Sequence, residues 1–277
     1  MEHIDDTQPV PHTVSSLVAD LRLLGVTTGS TLLVHSSLSS LGYVTGGAHA
    51  VVLALREALG PGGTLVVPTH SGDLSDPARW QHPPVPEAWW PVIRDAAPAF
   101  DPDLTPTREM GVIADTVRRI PGALRSSHPT VSMGAVGPAA ARITGEHRLN
   151  DRFGDTSPLA RLYDDHAQVL LLGVGHGNNT CLHLAEARAG TQPEVEESSP
   201  VMVDGTRRWV TYRTVDHDAD DFDAIGPALA EAGLERVGTV GGATARLLPV
   251  RPMVDVAEAW FREHRRRADP AGSPGSP

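Results

Sequence analysis

Residues 169–190 read VLLLGVGHGNNTCLHLAEARAG, and this stretch decides the fold class. Val169–Leu172 is a continuous apolar run, the pattern of a strand buried on both faces of a parallel sheet. Glycines follow, then Asn178, Asn179 and Thr180, which suit the start of a helix. Leu182, Leu184 and Ala185 give that helix an apolar side, and Gly190 stops it. His183 and Glu186 stand three residues apart, so they share one helical face. A base and a carboxylate are thereby offered together at the carboxyl end of a strand, where open α/β sheets hold their ligands.

Upstream, the same alternation of strand and helix repeats. Val14–Leu24 has helical apolar spacing, Thr31–His35 reads as a strand, residues 48–59 as a helix ended by GPGG, and Thr64–Pro68 as a second buried strand. This order predicts an α/β fold with a mixed, largely parallel central sheet flanked by helices. Residues 70–108 concentrate Pro, Trp and Asp without periodicity, which marks a functional loop. Further on, the spacing predicts a helix over 110–119, a helix start within 136–145, a hairpin over 201–216 turning at Asp204 and Gly205, and a helical segment over 221–233. A late strand over 243–250 and a helix over 254–264 complete the pattern. The expected organisation is a loose leader over 1–12, a single domain over 13–264, and a disordered tail over 265–277 rich in Gly, Pro and Ser.

Composition narrows the class. The formal charge is −11, from 34 acidic and 23 basic residues, the opposite of a nucleic-acid binder; such an excess serves solubility and would also attract a cationic substrate. No apolar run approaches the ~18 residues of a membrane span. The segment MEHIDDTQPVPH lacks the basic and apolar parts of a signal peptide, and the lone Cys181 allows no intrachain disulfide. A cytoplasmic protein, monomer or homodimer, is expected. Every basic residue is Arg, which removes Schiff-base and P-loop lysine chemistry.

Two loops look suited to anions. HSSLSSLGYVTGG, residues 35–47, joins a strand to a helix, and reads either as an ordinary tight turn or as a loop whose hydroxyls and glycines let backbone N–H groups approach phosphate oxygens. RSSHPTVS, residues 125–132, supplies Arg125 with Ser126, Ser127, Thr130 and Ser132. Two such clusters fit a ligand with separated phosphates, such as coenzyme A. The glycines of GVGHGN do not make a dinucleotide fingerprint, because the third glycine position falls on Asn178. His176 and His183 are seven apart and lack zinc-helix spacing, so no metal is expected. His183 weighs as either a packed core histidine or a base, and Cys181 reads as packing.

Taken together, LLVHSSLSSLG, ALGPGGTLVVPTHSGDLSDP, the MG of EMGVIADT, RSSHPTVSMGAVG, SPLARLY and LLLGVGHGNNTCLHLAE resemble the aminoglycoside 3-N-acetyltransferases, over about residues 14–262. The resemblance implies an α/β fold distinct from the GNAT acetyltransferases. It implies transfer of the acetyl group of acetyl-CoA to the 3-amino group of an aminoglycoside's deoxystreptamine ring, conferring resistance. Ser36, Ser37, Leu38, Gly46 and Gly47 would then receive pyrophosphate and pantetheine, with Thr69, Met110, Gly111, Arg125, Ser127, Pro129 and Ser132 lining the rest of the cofactor site. His183 is the implied catalytic base. Asp216 is the implied carboxylate partner ahead of Asp218, with Glu186 in the same role as an alternative and His176 as a second candidate base. Asp73, Asp76, Glu194 and Glu196, with Glu197 and Asp216, would face the polycationic sugar. Two other readings remain: an acyl-CoA-dependent N-acyltransferase of the same family acting on a different amine in antibiotic biosynthesis or self-protection, and a non-catalytic aminoglycoside-binding protein.

Overall fold

The computed structural model describes residues 8, 10–81 and 83–265. The expected leader over 1–7 and at residue 9, and the expected tail over 266–277, lie outside the described residues. Among the described residues, nine strands form two sheets: β1 (Thr31–Ser36), β2 (Thr64–Pro68), β3 (Leu124–Arg125), β4 (Met133–Val136), β5 (Gln168–Leu172), β6 (Glu194–Val203), β7 (Thr206–Val215), β8 (Arg236–Val240) and β9 (Ala243–Pro249). The central sheet runs β3-β4-β2-β1-β5-β9-β8. Its middle, β2-β1-β5, is parallel, and both flanks pair antiparallel. Because β3 and β8 are each antiparallel to an antiparallel neighbour, five of the seven strands point the same way. The sheet is mixed and mostly parallel, as the sequence pattern predicts.

Except for the helix over Trp90–Ala96, which buries no residue, the helices divide between the two faces. α1 (Val14–Leu24), α2 (Gly47–Leu59), α3 (Trp90–Ala96), α4 (Gly111–Arg118), α5 (Ala140–Ile143), α6 (Pro158–Asp164), α7 (Leu182–Ala189), α8 (Gly226–Glu231) and α9 (Val250–His264) follow in chain order. Strand side chains alternate between faces. Leu32, Val34, Leu65, Val67, Leu170 and Leu172 accordingly pack under α1, α2 and α4. Leu33, Val66, Val169 and Leu171 pack under α5, α6, α7, α8 and α9. Burial on both sides explains why β1, β2 and β5 read as continuous apolar runs.

Several boundaries differ from the sequence pattern for physical reasons. β6 and β7 pair over ten residues each, starting at Glu194, because the polar alternation of EVEESS was masked by charge. β3, β4, β8 and α6 span only two to seven residues each, too short to show a period. The last helix begins at Val250, four residues before the expected start. At the amino end, Gln8 and His12 are held rather than loose. The Gln8 amide donates to the Tyr43 carbonyl at 3.0 Å and accepts from its N–H at 2.7 Å, and His12 bridges to Val44. No described helix is long and apolar enough to cross a membrane.

Candidate active site

The carboxyl ends of β1, β2 and β5 meet at one edge of the sheet. From Leu172 the chain passes through a tight turn at His176–Asn178 and enters α7. Asn179 is buried, and its Oδ1 accepts the Cys181 N–H at 3.3 Å, satisfying one of the orphan donors at the helix start. Cys181 itself takes the position that precedes the first helical residue and gives no side-chain cap, so the capping expected of Asn178, Asn179 and Thr180 is reduced to this bond from two residues upstream.

His183 lies in the first turn of α7. Its Nδ1 is 2.7 Å from Oε2 of Glu186, one helical turn on. A carboxylate only accepts, so Nδ1 carries the proton and Nε2 keeps its lone pair. The imidazole stacks on Phe153, with centroids 4.5 Å apart and planes 13° apart, and contacts Phe222 at 4.7 Å. The ring is therefore fixed in both tautomer and orientation. Burial holds the His183 pKa below the ordinary histidine range, opposed by its hydrogen bond to Glu186, so the ring is a neutral base at pH 7.

Glu186 is fully buried and fully used. Oε2 accepts from His183 and from His217 Nδ1 at 2.9 Å; Oε1 accepts from Gln192 at 3.1 Å, from the Asp218 N–H at 3.0 Å, and from Arg265. Burial alone would raise its pKa, but the hydrogen bonds from His183 and His217 outweigh that and hold it well below the carboxylate range. The ligand atoms of His183, Glu186 and His217 lie within 4.8 Å of one another, close enough to converge on a metal ion. Both imidazoles hydrogen-bond to the Glu186 carboxylate.

Two cavities adjoin this group. His183 lines one of about 210 Å³ together with Ser36, Pro68, Met110, Asn178 and Thr180. The second, about 570 Å³, includes Asp73, Arg79, Arg108, Thr130, Arg152 and Glu197. His70, Glu109 and Met110 line both. Glu109 takes φ 61°, left-handed for a non-glycine residue, and Gly111 follows at φ 79°. This turn carries the chain between the two cavities and into α4.

The site residues read from the sequence separate in space. His183, Glu186, Ser36 and Met110 come together, with Gly111 beside the Ser36 carbonyl; a Cβ there would lie 3.6 Å from that oxygen. Gly46 and Gly47 start α2 with φ 91° and 56°, Ser37 bonds Ser39, and Leu38 packs against the core under α2. Asp216 is not the partner of His183: it is exposed at the end of β7, its N–H bonded to the Pro193 carbonyl, and Glu186 holds the position expected for it. His176 lies elsewhere, its Nε2 3.0 Å from Glu235 in a separate cavity.

The second anion-binding loop is also corrected. Arg125 spends its guanidinium on the Thr69 carbonyl and Ser71 Oγ, both at 2.6 Å, on Ser132 Oγ at 2.9 Å and on the Thr105 carbonyl. Thr69 and Ser132 are fully buried in this knot, Pro129 is buried beside it, and Ser127 faces solvent away from both cavities. Among the expected acidic residues, Asp73 lines the larger cavity but pairs with Arg108, and Asp76 is held by Arg94 at 2.7 and 3.0 Å. Glu194 and Glu196 point outward from β6, whereas Glu197, of opposite parity, points in.

Sequence reasoning did not find His217, Arg265, His70 or Arg152. Arg265 sits in the expected tail yet packs over Phe261 at 4.3 Å and bonds Glu186 and Asp221. No local period marks these residues; the tertiary fold brings His217 and Arg265 to Glu186 of α7 and sets His70 and Arg152 beside Phe153.

The aminoglycoside 3-N-acetyltransferase family pattern matches residues 33–262. The SPbeta prophage-derived aminoglycoside N(3')-acetyltransferase-like protein YokD of Bacillus subtilis is 42% identical, covering 94% of this chain and 96% of its own length. Its crystal structure superposes with a TM-score of 0.93 at 40% identity, over 95% of this chain and 98% of that one. Aminoglycoside N(3)-acetyltransferase VII of Streptomyces paromomycinus is 36% identical, over 91% of this chain and 92% of its own. AAC-IIIb, solved as a binary complex with CoASH, superposes with a TM-score of 0.82 at 29% identity, over 97% of this chain and 100% of that one. The chain, with its buried base and carboxylate at the sheet edge, is an acyltransferase that belongs to the aminoglycoside 3-N-acetyltransferase family.

Proposed function

We propose that the chain transfers the acetyl group of acetyl-CoA directly to the 3-amino group of the deoxystreptamine ring of an aminoglycoside, with His183 as general base. The observation that carries this reading is the neutral imidazole of His183, held on buried Glu186 and lining a cavity. An ammonium cannot attack a carbonyl until it loses a proton. His183 Nε2 takes that proton, and Glu186 stabilises the imidazolium that forms. The nitrogen bonds to the thioester carbon, the carbon–sulfur bond breaks, the proton held by His183 passes to the departing sulfur, and the second proton that the nitrogen gives up in becoming an amide leaves to solvent.

The residues fit these substrates. The smaller cavity, with Ser36, Met110 and Asn178, suits the narrow pantetheine arm, and CoASH is the ligand of the related AAC-IIIb. The adjoining larger cavity suits the acceptor, with Asp73, Glu109 and Glu197 to meet its ammonium groups. Acetylation replaces a charged amine by a neutral amide, the basis of resistance for a protein acting in the cytoplasm. The test is release of free thiol from acetyl-CoA with a panel of aminoglycosides, followed by NMR location of the new amide. Thiol release that requires both substrates and an amide at the 3-position are expected; no acceptor-dependent release overturns the reading.

A further inference from the structure

Glu186 is ionised and its side chain is wholly enclosed, so a positive charge must stand against it. Among the described residues three groups that touch it can carry one: His183, His217 and Arg265. A proton on His183 would occupy the lone pair of the base. Arg265 carries its charge at every working pH, because a guanidinium does not release its proton. Its seat does not depend on Glu186 alone. Nε donates to Asp221 Oδ2 at 2.7 Å, Nη2 donates to the Asp218 carbonyl at 2.8 Å and to Asp221, and the guanidinium lies 4.3 Å from the ring centroid of Phe261. The residue stands beyond position 262, where the match to the family pattern ends.

The other groups around His183 leave this balance to Arg265. Asp218 is exposed, and Asp221, partly exposed, has both oxygens engaged by Arg265. His217 after β7, Arg152 before α6, His35 in β1 and His70 after β2 also stand around the ring, and a charge on any of them opposes a charge on His183. Resting on the assignment of His183 as base, we infer that Arg265 is a positioning residue for the transfer: its guanidinium, in place of a proton on His183 or His217, balances the buried charge of Glu186 and leaves His183 Nε2 free to take the proton of the amine. Without Arg265 the carboxylate is balanced by drawing a proton onto an imidazole, and the base is occupied at pH 7. Raising the pH then restores it, which would not repair a base that is merely misplaced.

Long-range proton–nitrogen NMR of the full chain carrying 15N-labelled histidine reads the protonation of the two rings with no substrate present. The signals lost in His183→Ala and His217→Ala assign them. Both rings are expected to be neutral at pH 7 in the parent; in Arg265→Gln one of them becomes an imidazolium, and in Arg265→Lys, which keeps the charge, both stay neutral. Thermal melting checks the fold, and Arg265→Met, which keeps an apolar contact with Phe261, replaces the glutamine variant should that one unfold. An imidazolium in the parent, or two neutral rings at pH 7 in a folded variant without the charge, overturns the inference. Thiol release from acetyl-CoA with an aminoglycoside is followed separately against pH: the acid limb of kcat/KM should move to higher pH by at least about one unit in Arg265→Gln. Rings that gain a proton while that limb stays in place count against His183 as the base and leave Arg265 standing as the counter-charge.

Discussion

His183 and His217 direct their Nδ1 atoms to the same oxygen, Oε2 of Glu186, at 2.7 and 2.9 Å. One carboxylate thus sets the tautomer of both rings, and Arg265, Gln192 and the Asp218 N–H anchor its other oxygen. The base is fixed from a buried point by residues from four segments of the chain.

Glu186→Gln keeps the shape but removes the charge that stabilises the imidazolium and lets the amide face His183 with the wrong group. The turnover number is expected to fall by about 10²- to 10⁴-fold. Arg265 loses a buried partner at the same time, so stability should drop by roughly 3–5 kcal/mol. Steady-state kinetics and urea unfolding read the two effects separately, and normal turnover would remove Glu186 from the mechanism.

His183→Ala and His176→Ala separate the two histidines that the sequence offers. His183 lines the smaller cavity, whereas His176 is paired with Glu235 in another. Loss of His183 should cost about 10²- to 10⁴-fold in turnover. His176→Ala should stay within a few-fold of the parent, and the reverse ranking would reassign the base.

The sheet and the His183–Glu186 pair were legible because both depend on local pattern: apolar runs for strands buried on two faces, and three-residue spacing for a shared helical face. The choice of Asp216 failed because a carboxylate near a histidine in a family pattern says nothing of which way a strand end turns. Arg125 failed for a similar reason. Serines and an arginine in one loop look alike whether they bind a phosphate or one another, and only the burial of Thr69 and Ser132 distinguishes the two. His217, Arg152 and Arg265 belong to contacts between distant segments and leave no local trace.

Arg125→Ala therefore tests a structural role. Its guanidinium donates to carbonyl and hydroxyl groups of Thr69, Ser71, Thr105 and Ser132, and removal takes that charged donor away, leaving the Thr69 carbonyl with the Ser132 hydroxyl alone. A loss of roughly 2–4 kcal/mol in unfolding free energy is expected, since hydrogen bonds to charged groups are worth about 1.5–3 kcal/mol each and are not additive. The Michaelis constant for acetyl-CoA should stay within about twofold; a large rise at unchanged stability would return Arg125 to the cofactor site.

Chelation tests the cluster of His183, Glu186 and His217. Their ligand atoms lie within 4.8 Å of one another, but each is engaged by another, and Glu186 also holds Arg265. Prolonged dialysis against EDTA should leave acetyl transfer unchanged. Activity lost on chelation and restored by added zinc would make these residues a metal site.

The last prediction concerns acid. Burial pushes His35 down to about 3, with His183 adding to the shift, and His147 down to about 4; it also holds buried His128 well below the ordinary range. The folded pKa of each lies below the unfolded value near 6.5, so the unfolded chain binds more protons as pH falls through 6.5. Their contribution is fully present above that pH and is lost progressively toward pH 4, where the folded groups themselves begin to titrate. Each contributes at most about 1.4 kcal/mol per pH unit, or up to roughly 4 kcal/mol per unit for the three together near pH 5. Urea midpoints measured from pH 8 to 5 should be flat above 7 and fall steeply below 6. His147→Gln should make that fall shallower, and a slope independent of pH across the range would mean that these rings are not held neutral by burial.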